Sequence, residues 1–311
     1  MKSISEKNIL LGALWSFGFI TLESLQTVFL GSKLRHESSF LLSFTIFSIL
    51  SAGIIVWTWL KHPGQFLIAR KNLKYLILAN ITTTCSWGFY LLSVGKLEPV
   101  ITLTLFSGAI YLTTLFTESD KTKQSHSINK YLTRISTLCM IFGLLWLIVT
   151  TLSGFSSSTG SNHREHILGI IFAIMSGVSL SFMISSCDKL DRAGLHPTTQ
   201  IGLRLPLYII VSLLAIWMGF DSKGKTADMA SVWTILIAFP LVVLPMFTLQ
   251  KAIEKSPPIT IASILAMAPL LTFLLQMIAK DFPFSDATLV GLIIYCLGTV
   301  IELRYRTTIK T

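Results

Sequence analysis

Long apolar stretches recur along this 311-residue chain, and their length restricts the fold more than any other feature. Ten can be placed: residues 8–30, 38–60, 73–95, 99–117, 132–153, 167–187, 200–220, 231–251, 258–279 and 286–303. A helix rising 1.5 Å per residue needs roughly 20 residues to cross a hydrocarbon core of about 30 Å. The runs are continuous and lack the period-two alternation of a barrel strand, so helices are expected. The expected fold is an all-α membrane protein with ten transmembrane helices. Composition agrees, since 13% of residues are charged, against roughly 25% in soluble domains. A water-facing surface cannot be made from so few charges, and 52% hydrophobic content excludes disorder. The net charge of +10 does not imply a nucleic-acid partner, because the basic residues are scattered in small groups between the apolar runs.

Those groups predict an orientation. With the N-terminus in the cytoplasm, eighteen Lys and Arg lie inside: Lys2, Lys7, Lys61, Arg70, Lys71, Lys74, Lys121, Lys123, Lys130, Arg134, Lys189, Arg192, Arg204, Lys251, Lys255, Arg304, Arg306 and Lys310. Seven lie outside: Lys33, Arg35, Lys96, Arg164, Lys223, Lys225 and Lys280. The bias over short loops predicts cytoplasmic N- and C-termini. The first stretch follows Lys2 and Lys7 as a signal peptide would, yet it is too long and is interrupted by Glu23. It is expected to stay as a span. Cys85, Cys139, Cys187 and Cys296 are far apart and within spans, which predicts neither a disulfide framework nor a zinc site.

An internal repeat appears at an offset near 160. Gly95-Lys96-Leu97-Glu98-Pro99 falls on Glu254-Lys255-Ser256-Pro257-Pro258, Gly12 before Trp15 on Gly169 before Phe172, and Gly143 near Gly298. Leu34-Arg35-His36 falls near Gly194-Leu195-His196. The matches keep their order and predict two five-span halves, 1–153 and 167–311, joined by a Ser- and Gly-rich outer loop at 154–166. A repeat with an odd number of spans must lie in opposite orientations in its two copies. Inverted repeats put a binding site near the membrane midplane, between halves that can rock.

With this organisation the chain resembles the drug/metabolite transporter superfamily, EamA type. The most specific match is Ala252-Ile253-Glu254-Lys255-Ser256-Pro257-Pro258, then Ala262 and Ser263, then Ala268-Pro269-Leu270, with Asp281 closing the run. Gly291 and Gly298 in span 10 fit as well. The first half departs from the pattern, with Ile110 where a proline is expected and Glu118 arriving early. The resemblance implies a carrier whose central cavity is bounded mainly by spans 1, 3, 4, 6, 8 and 9. It further implies a cell-membrane location, that of a bacterial inner membrane, and export of amino acids or related metabolites.

Glu23 is the sharpest single feature, the one acidic residue well inside a span. An ionised carboxylate in hydrocarbon costs at least about 2.5–3.5 kcal/mol, so a cavity or a partner is expected. Trp15, Phe19, Glu23 and Gln26 share one helix face, as do Asn80, Thr83, Trp87 and Tyr90 on span 3. Thr104, Ser107, Tyr111 and Thr114 form a third stripe, and Thr260, Ser263 and Met267 a fourth, with Gln276 further along. These stripes are candidate substrate-binding surfaces. Small polar residues at this spacing also serve plain helix packing, and Glu23 could be a hydrated interfacial residue. Pro240 and Pro245 are expected to kink or unwind span 8. Arg204 is a candidate gate or anion contact, or a snorkelling interfacial cation. His163 and His166 lack the His-Glu-x-x-His order of a zinc site, and a solvated loop accounts for them.

The function expected is secondary transport of a small amphipathic solute by a monomer or homodimer in the bilayer, without cofactor or metal and without enzymatic activity. The alternatives are uptake or exchange of a nucleotide-derived or other host metabolite, an intramembrane enzyme, or a receptor subunit. No P-loop occurs, and the loops are too short for a nucleotide domain, which argues against direct ATP drive.

Overall fold

The computed structural model describes residues 6–33, 39–118, 127–155, 163–219, 229–279 and 285–308. Asp281, the loop residues 156–162 and the loop residues Arg35, His36, Lys121, Lys123, Lys223, Lys225 and Lys280 lie outside these ranges. The described chain is all-helical. The elements are α1 (Glu6–Lys33), α2 (Ser39–Lys61), α3 (Gly64–Lys71), α4 (Leu73–Val94), α5 (Pro99–Glu118), α6 (Ser127–Leu152) and α7 (His163–Arg192). They continue with α8 (Pro197–Leu203), α9 (Pro206–Trp217), α10 (Met229–Lys255), α11 (Pro258–Leu265), α12 (Ala268–Ala279) and α13 (Asp286–Thr308).

Among the described residues, nine stretches are long and apolar enough to cross a membrane: α2, α4, α5, α6, α7, α8 with α9, α10, α11 with α12, and α13. Helix α1 is long enough, at 28 residues. Its apolar run is diluted by Ser16, Thr21, Glu23, Ser24, Gln26 and Thr27. His163 and His166 belong to the first turns of α7 rather than to a loop, the first exposed and the second buried. The four cysteines are free.

Two apolar runs expected as single helices are divided. Span 7 ends as α8 at Leu203 and restarts as α9 at Pro206, which sits in the new first turn where a missing N–H costs nothing. Span 9 divides in the same way into α11 and α12, with Pro269 in the restarted turn. The reverse holds for α10, which stays helical through both Pro240 and Pro245. The two missing hydrogen bonds do not end that helix.

A break inside a membrane leaves carbonyl and N–H groups that water cannot satisfy. Neighbouring side chains do it at α8–α9. Ser51 donates to the Gly202 carbonyl at 2.9 Å, and Asn80 Nδ2 donates to the Leu203 carbonyl at 2.8 Å. Asn80 Oδ1 also faces the Leu207 N–H at 3.4 Å, so one amide clasps both sides of the break. Substituting Asn80→Leu should lower the unfolding free energy by about 1–2 kcal/mol, because a half-buried carbonyl and N–H lose their partner together. Thermal unfolding in detergent checks this; an unchanged midpoint would mean that the break is held by other contacts.

The long helices pair closely: α4 with α7, α1 with α10, α6 with α13, and α2 with α8 and α9. Helix α5 lies against α7, α11 and α12. Lipid offers no hydrophobic drive for helix association, so small residues that allow close approach carry the packing. Gly143 lies against the Tyr295 backbone, Gly298 against Ser136 and Met140, and Gly177 against Phe106 and Ala109. Gly12 packs on Lys255 and Ser256, while Gly169 packs on Lys96 and Leu97. Two cores result. The larger contains Phe19, Phe47, Phe106, Met183, Tyr208 and Met246, and the smaller gathers Ile101, Tyr111, Met140 and Tyr295.

Candidate functional site

A cavity lies inside the larger core, where α1, α4, α5, α7, the α8–α9 break and α10 converge. It comprises about 490 Å³ of space between atoms, part of it open to the surroundings. Little of that space is free of contact with the walls. A solute larger than water enters only if the walls move.

Helix α1 contributes Phe19, Glu23 and Gln26, three residues of its expected polar and aromatic face. Their spacing of four and three residues puts them on one side of the helix, turned toward α10 and α4. Glu23 is buried and makes no hydrogen bond or ion pair among the described residues. Both polar amide atoms of Gln26 are buried without a partner among the described residues. One turn further, Thr27 bonds to the Glu23 carbonyl at 2.7 Å and also to the Tyr90 hydroxyl.

The opposite wall is α4, with Thr83, Ser86, Trp87 and Tyr90. Trp87 and Tyr90 belong to a chain of aromatic contacts. Phe47 meets Trp87 edge-on at 5.1 Å, Trp87 meets Tyr90 at 6.1 Å, and Tyr90 meets Phe106 at 5.5 Å. Phe47 also holds Tyr208 at 5.1 Å, whose hydroxyl shares a 2.9 Å bond with Ser43. These contacts fix the rings of the wall. The Thr83 hydroxyl is buried and unpartnered among the described residues.

Arg204 closes one end of the cavity. It does not snorkel: the side chain is 2% exposed and stands at the α8–α9 break, where the interrupted helix lets it turn inward. Its Nη1 donates to Gln250 Oε1 at 2.7 Å and approaches Met183 Sδ at 3.2 Å and Cys187 Sγ at 3.3 Å. Gln250 Nε2 then donates to Gln200 Oε1 at 3.0 Å, and Gln200 Nε2 to the Leu195 carbonyl at 2.9 Å. Arginine only donates, so this relay has one possible direction. It ends beside His196, whose imidazole is stacked on His62 at 6.0 Å. Burial holds His196 below its ordinary range, Lys251 and His62 act in the same sense, and Glu254 opposes them.

Of the residues expected from the sequence, the cavity thus unites Phe19, Glu23, Gln26, Thr83, Trp87, Tyr90 and Arg204. The others lie elsewhere. Trp15 is 38% exposed on the outside of the bundle, and Asn80 clasps the α8–α9 break. Ser107 bonds to the Tyr295 hydroxyl at 3.3 Å, and Tyr111 is buried in the smaller core. Thr260 is half-buried, Ser263 bonds back to the Ile259 carbonyl at 2.8 Å, and Met267 packs against the larger core. Ser86 escaped the reading although its spacing from Thr83 and Tyr90 places it on the same face. Phe106, Leu180, Met183, Met246 and Leu249 carried no signal, being apolar residues in apolar runs. Gln200 and Gln250 did carry one, as amides within the ends of apolar spans. Among the described residues no three His, Cys, Asp or Glu side chains are grouped as a metal would need.

No family model matches the chain, and no curated protein matches it. Sixteen chains of solved structures do. One, a crystal structure described only as that of a protein, is 17% identical with a TM-score of 0.62, over 94% of this chain and 97% of that one. At that identity the likeness concerns the fold alone, and it extends over almost the whole length of both chains.

Proposed function

We propose that this chain is a secondary transporter of the drug/metabolite transporter superfamily, EamA type, rather than an enzyme. In this reading it has ten spans, in two inverted five-helix repeats (1–153 and 167–311, joined by 154–166), and both termini are cytoplasmic. A small amphipathic metabolite is exported across the cell membrane through the central cavity by alternating access.

The observation that carries the reading is the cavity itself. It lies between the proposed halves and is lined by Gln26, Thr83 and Arg204, each of which has a buried polar atom without a partner among the described residues. Unsatisfied buried polar groups are costly, and a polar ligand is what would relieve them. Helix α1 fits the role of tenth span. Its 28 residues extend for about 42 Å, and the residues that dilute its apolar character include the Glu23 and Gln26 of the cavity wall. Reciprocal contacts support the repeat. Gly12 rests on Lys255 and Ser256, Gly169 rests on Lys96 and Leu97, and these are the positions that the sequence repeat superposes. The pairings α1–α10 and α4–α7 likewise exchange with one another when the halves are swapped.

Purified protein in proteoliposomes should show saturable counterflow of at least one solute from a panel of amino acids, organic acids and amines. Flux for none of them, together with turnover of a membrane lipid, would replace transport by intramembrane catalysis.

A further inference from the structure

Arg204 presents a problem that the transport reading does not by itself resolve. A guanidinium 2% exposed in the middle of a helical bundle has no carboxylate within ion-pair distance among the described residues. Its Nη1 is occupied by the Gln250 carbonyl oxygen and by two sulfurs, all of them neutral. Its Nε is buried and makes no hydrogen bond among the described residues. A buried cation left uncompensated is strongly destabilising, whereas the same cation with a bidentate carboxylate is well satisfied.

The neutral partners are arranged so that the guanidinium cannot turn away. Gln250 is anchored by Gln200, which is anchored by the Leu195 carbonyl, so the Nη1 side is held and the Nε side is left over. Two further groups of residues lining the same cavity lack partners among the described residues: the Gln26 amide, with both polar atoms buried and the residue 1% exposed, and the Thr83 hydroxyl, also in a residue 1% exposed. Amide N–H and hydroxyl groups are donors suited to anionic oxygen.

We propose that Arg204 is the anion-recognition group of the cavity, receiving through its Nε side the carboxylate of the transported solute. The anion supplies the directly paired counter-charge that no described residue provides. Trp87, Tyr90 and Phe106 then face the solute's apolar body. This assignment rests on the cavity being the solute site, and it goes further by stating which charge the solute must carry.

The test is ligand-induced thermal stabilisation of the full-length chain in detergent, using four probes of similar shape: benzoate, benzamide, benzylamine and phenylalanine. Benzoate and phenylalanine should raise the unfolding midpoint saturably, and benzamide and benzylamine should not. Gln250→Glu places an internal carboxylate on Arg204 without changing side-chain size, and should weaken both carboxylates about 30-fold or more. Arg204→Gln should do the same, while Arg204→Lys keeps the charge but loses the fork and should fall between. If Arg204→Gln does not fold, Gln250→Glu alone carries the test.

Phenylalanine binding as tightly as benzoate means that the anionic end suffices; tighter binding means that another group, with Glu23 in position to do so, takes the amine. Both outcomes uphold the assignment. Benzylamine or benzamide binding within about threefold of benzoate overturns it, as do undiminished affinity in Gln250→Glu and failure of both carboxylates to bind. Counterflow without charge selectivity would refute this assignment and leave transport standing. Charge-selective binding without flux would do the opposite.

Discussion

A chain carrying Gly177→Val is expected not to fold. Helix α7 crosses α5 at this glycine so closely that a Cβ would lie 2.8 Å from the Ala109 Cβ and 3.1 Å from the Phe106 carbonyl carbon, inside the contact shell of the carbonyl oxygen. The obstructing atoms are backbone and Cβ, which no rotamer change can move aside. Phe106 cannot retreat freely either, because its ring is packed on Tyr90 at 5.5 Å and forms part of the cavity wall. Overpacking typically costs about 1–3 kcal/mol, and valine adds two methyl groups beyond the first clash. Clashes at backbone atoms exceed that typical range, and against a total stability of about 5–15 kcal/mol they take a large share of the margin when the total is at the low end. Gly177→Ala should lower the unfolding midpoint measurably, and Gly177→Val should abolish the monodisperse peak in size-exclusion chromatography. Gly53→Ala and Gly88→Ala are the controls, since a Cβ at either position meets no atom within 4 Å. There alanine should be neutral, or stabilising by up to about 1 kcal/mol through its better helix propensity. A Gly177→Val protein that unfolds at the wild-type temperature would refute the close crossing.

Replacing Glu23 should separate stability from function in the opposite sense. Its carboxylate is buried and makes no hydrogen bond or ion pair among the described residues, so the fold gains nothing visible from its charge. Removing a polar group of this kind from a membrane-spanning helix relieves a cost of about 2.5–3.5 kcal/mol on insertion scales, part of which the cavity already offsets. Glu23→Leu is therefore expected to raise the unfolding midpoint while abolishing flux. Glu23→Gln keeps the size and the hydrogen-bonding capacity but cannot exchange a proton. If the carboxylate couples protons to flux, this variant should transport with a rate that no longer varies between about pH 5 and 8. Wild-type pH dependence in Glu23→Gln would remove Glu23 from the coupling role. A Glu23→Leu protein less stable than wild type would show that the carboxylate holds the bundle together.

These expectations rest unequally on sequence and tertiary structure. Hydropathy and length were enough to locate α4 at Leu73–Val94 and α5 at Pro99–Glu118 to within a residue or so of the expected 73–95 and 99–117. They were enough because a helix in lipid must satisfy its own backbone, so a long apolar run has little alternative. Helical periodicity likewise put Phe19, Glu23 and Gln26 on one face, and Thr83, Trp87 and Tyr90 on another, and both faces line the cavity. Periodicity says which residues share a face. It does not say what that face meets. Trp15 continues the stripe of α1 and Asn80 that of α4, yet one is exposed outside the bundle and the other binds the α8–α9 break. The stripes through Ser107 and Ser263 face helix neighbours or their own backbone.

Prolines illustrate the same division. Pro206 and Pro269 accompany broken helices, while Pro240 and Pro245 lie within an unbroken one. The residue is identical in each case, and what differs is its place: a first turn for Pro206 and Pro269, the interior of a continuous helix for Pro240 and Pro245. Arg204 is the clearest instance. An arginine near the end of an apolar run has a short route to the interface, and snorkelling is the cheaper outcome when that route is open. Here the break turns it inward, and Gln250, Met183 and Cys187 hold it there. The linear chain thus determined that this protein is helical and membrane-embedded, because those properties follow from local composition and from the dielectric of the surroundings. Which polar residues meet in one cavity, and which charge is left there without a counter-charge, was decided by helices distant in sequence packing together.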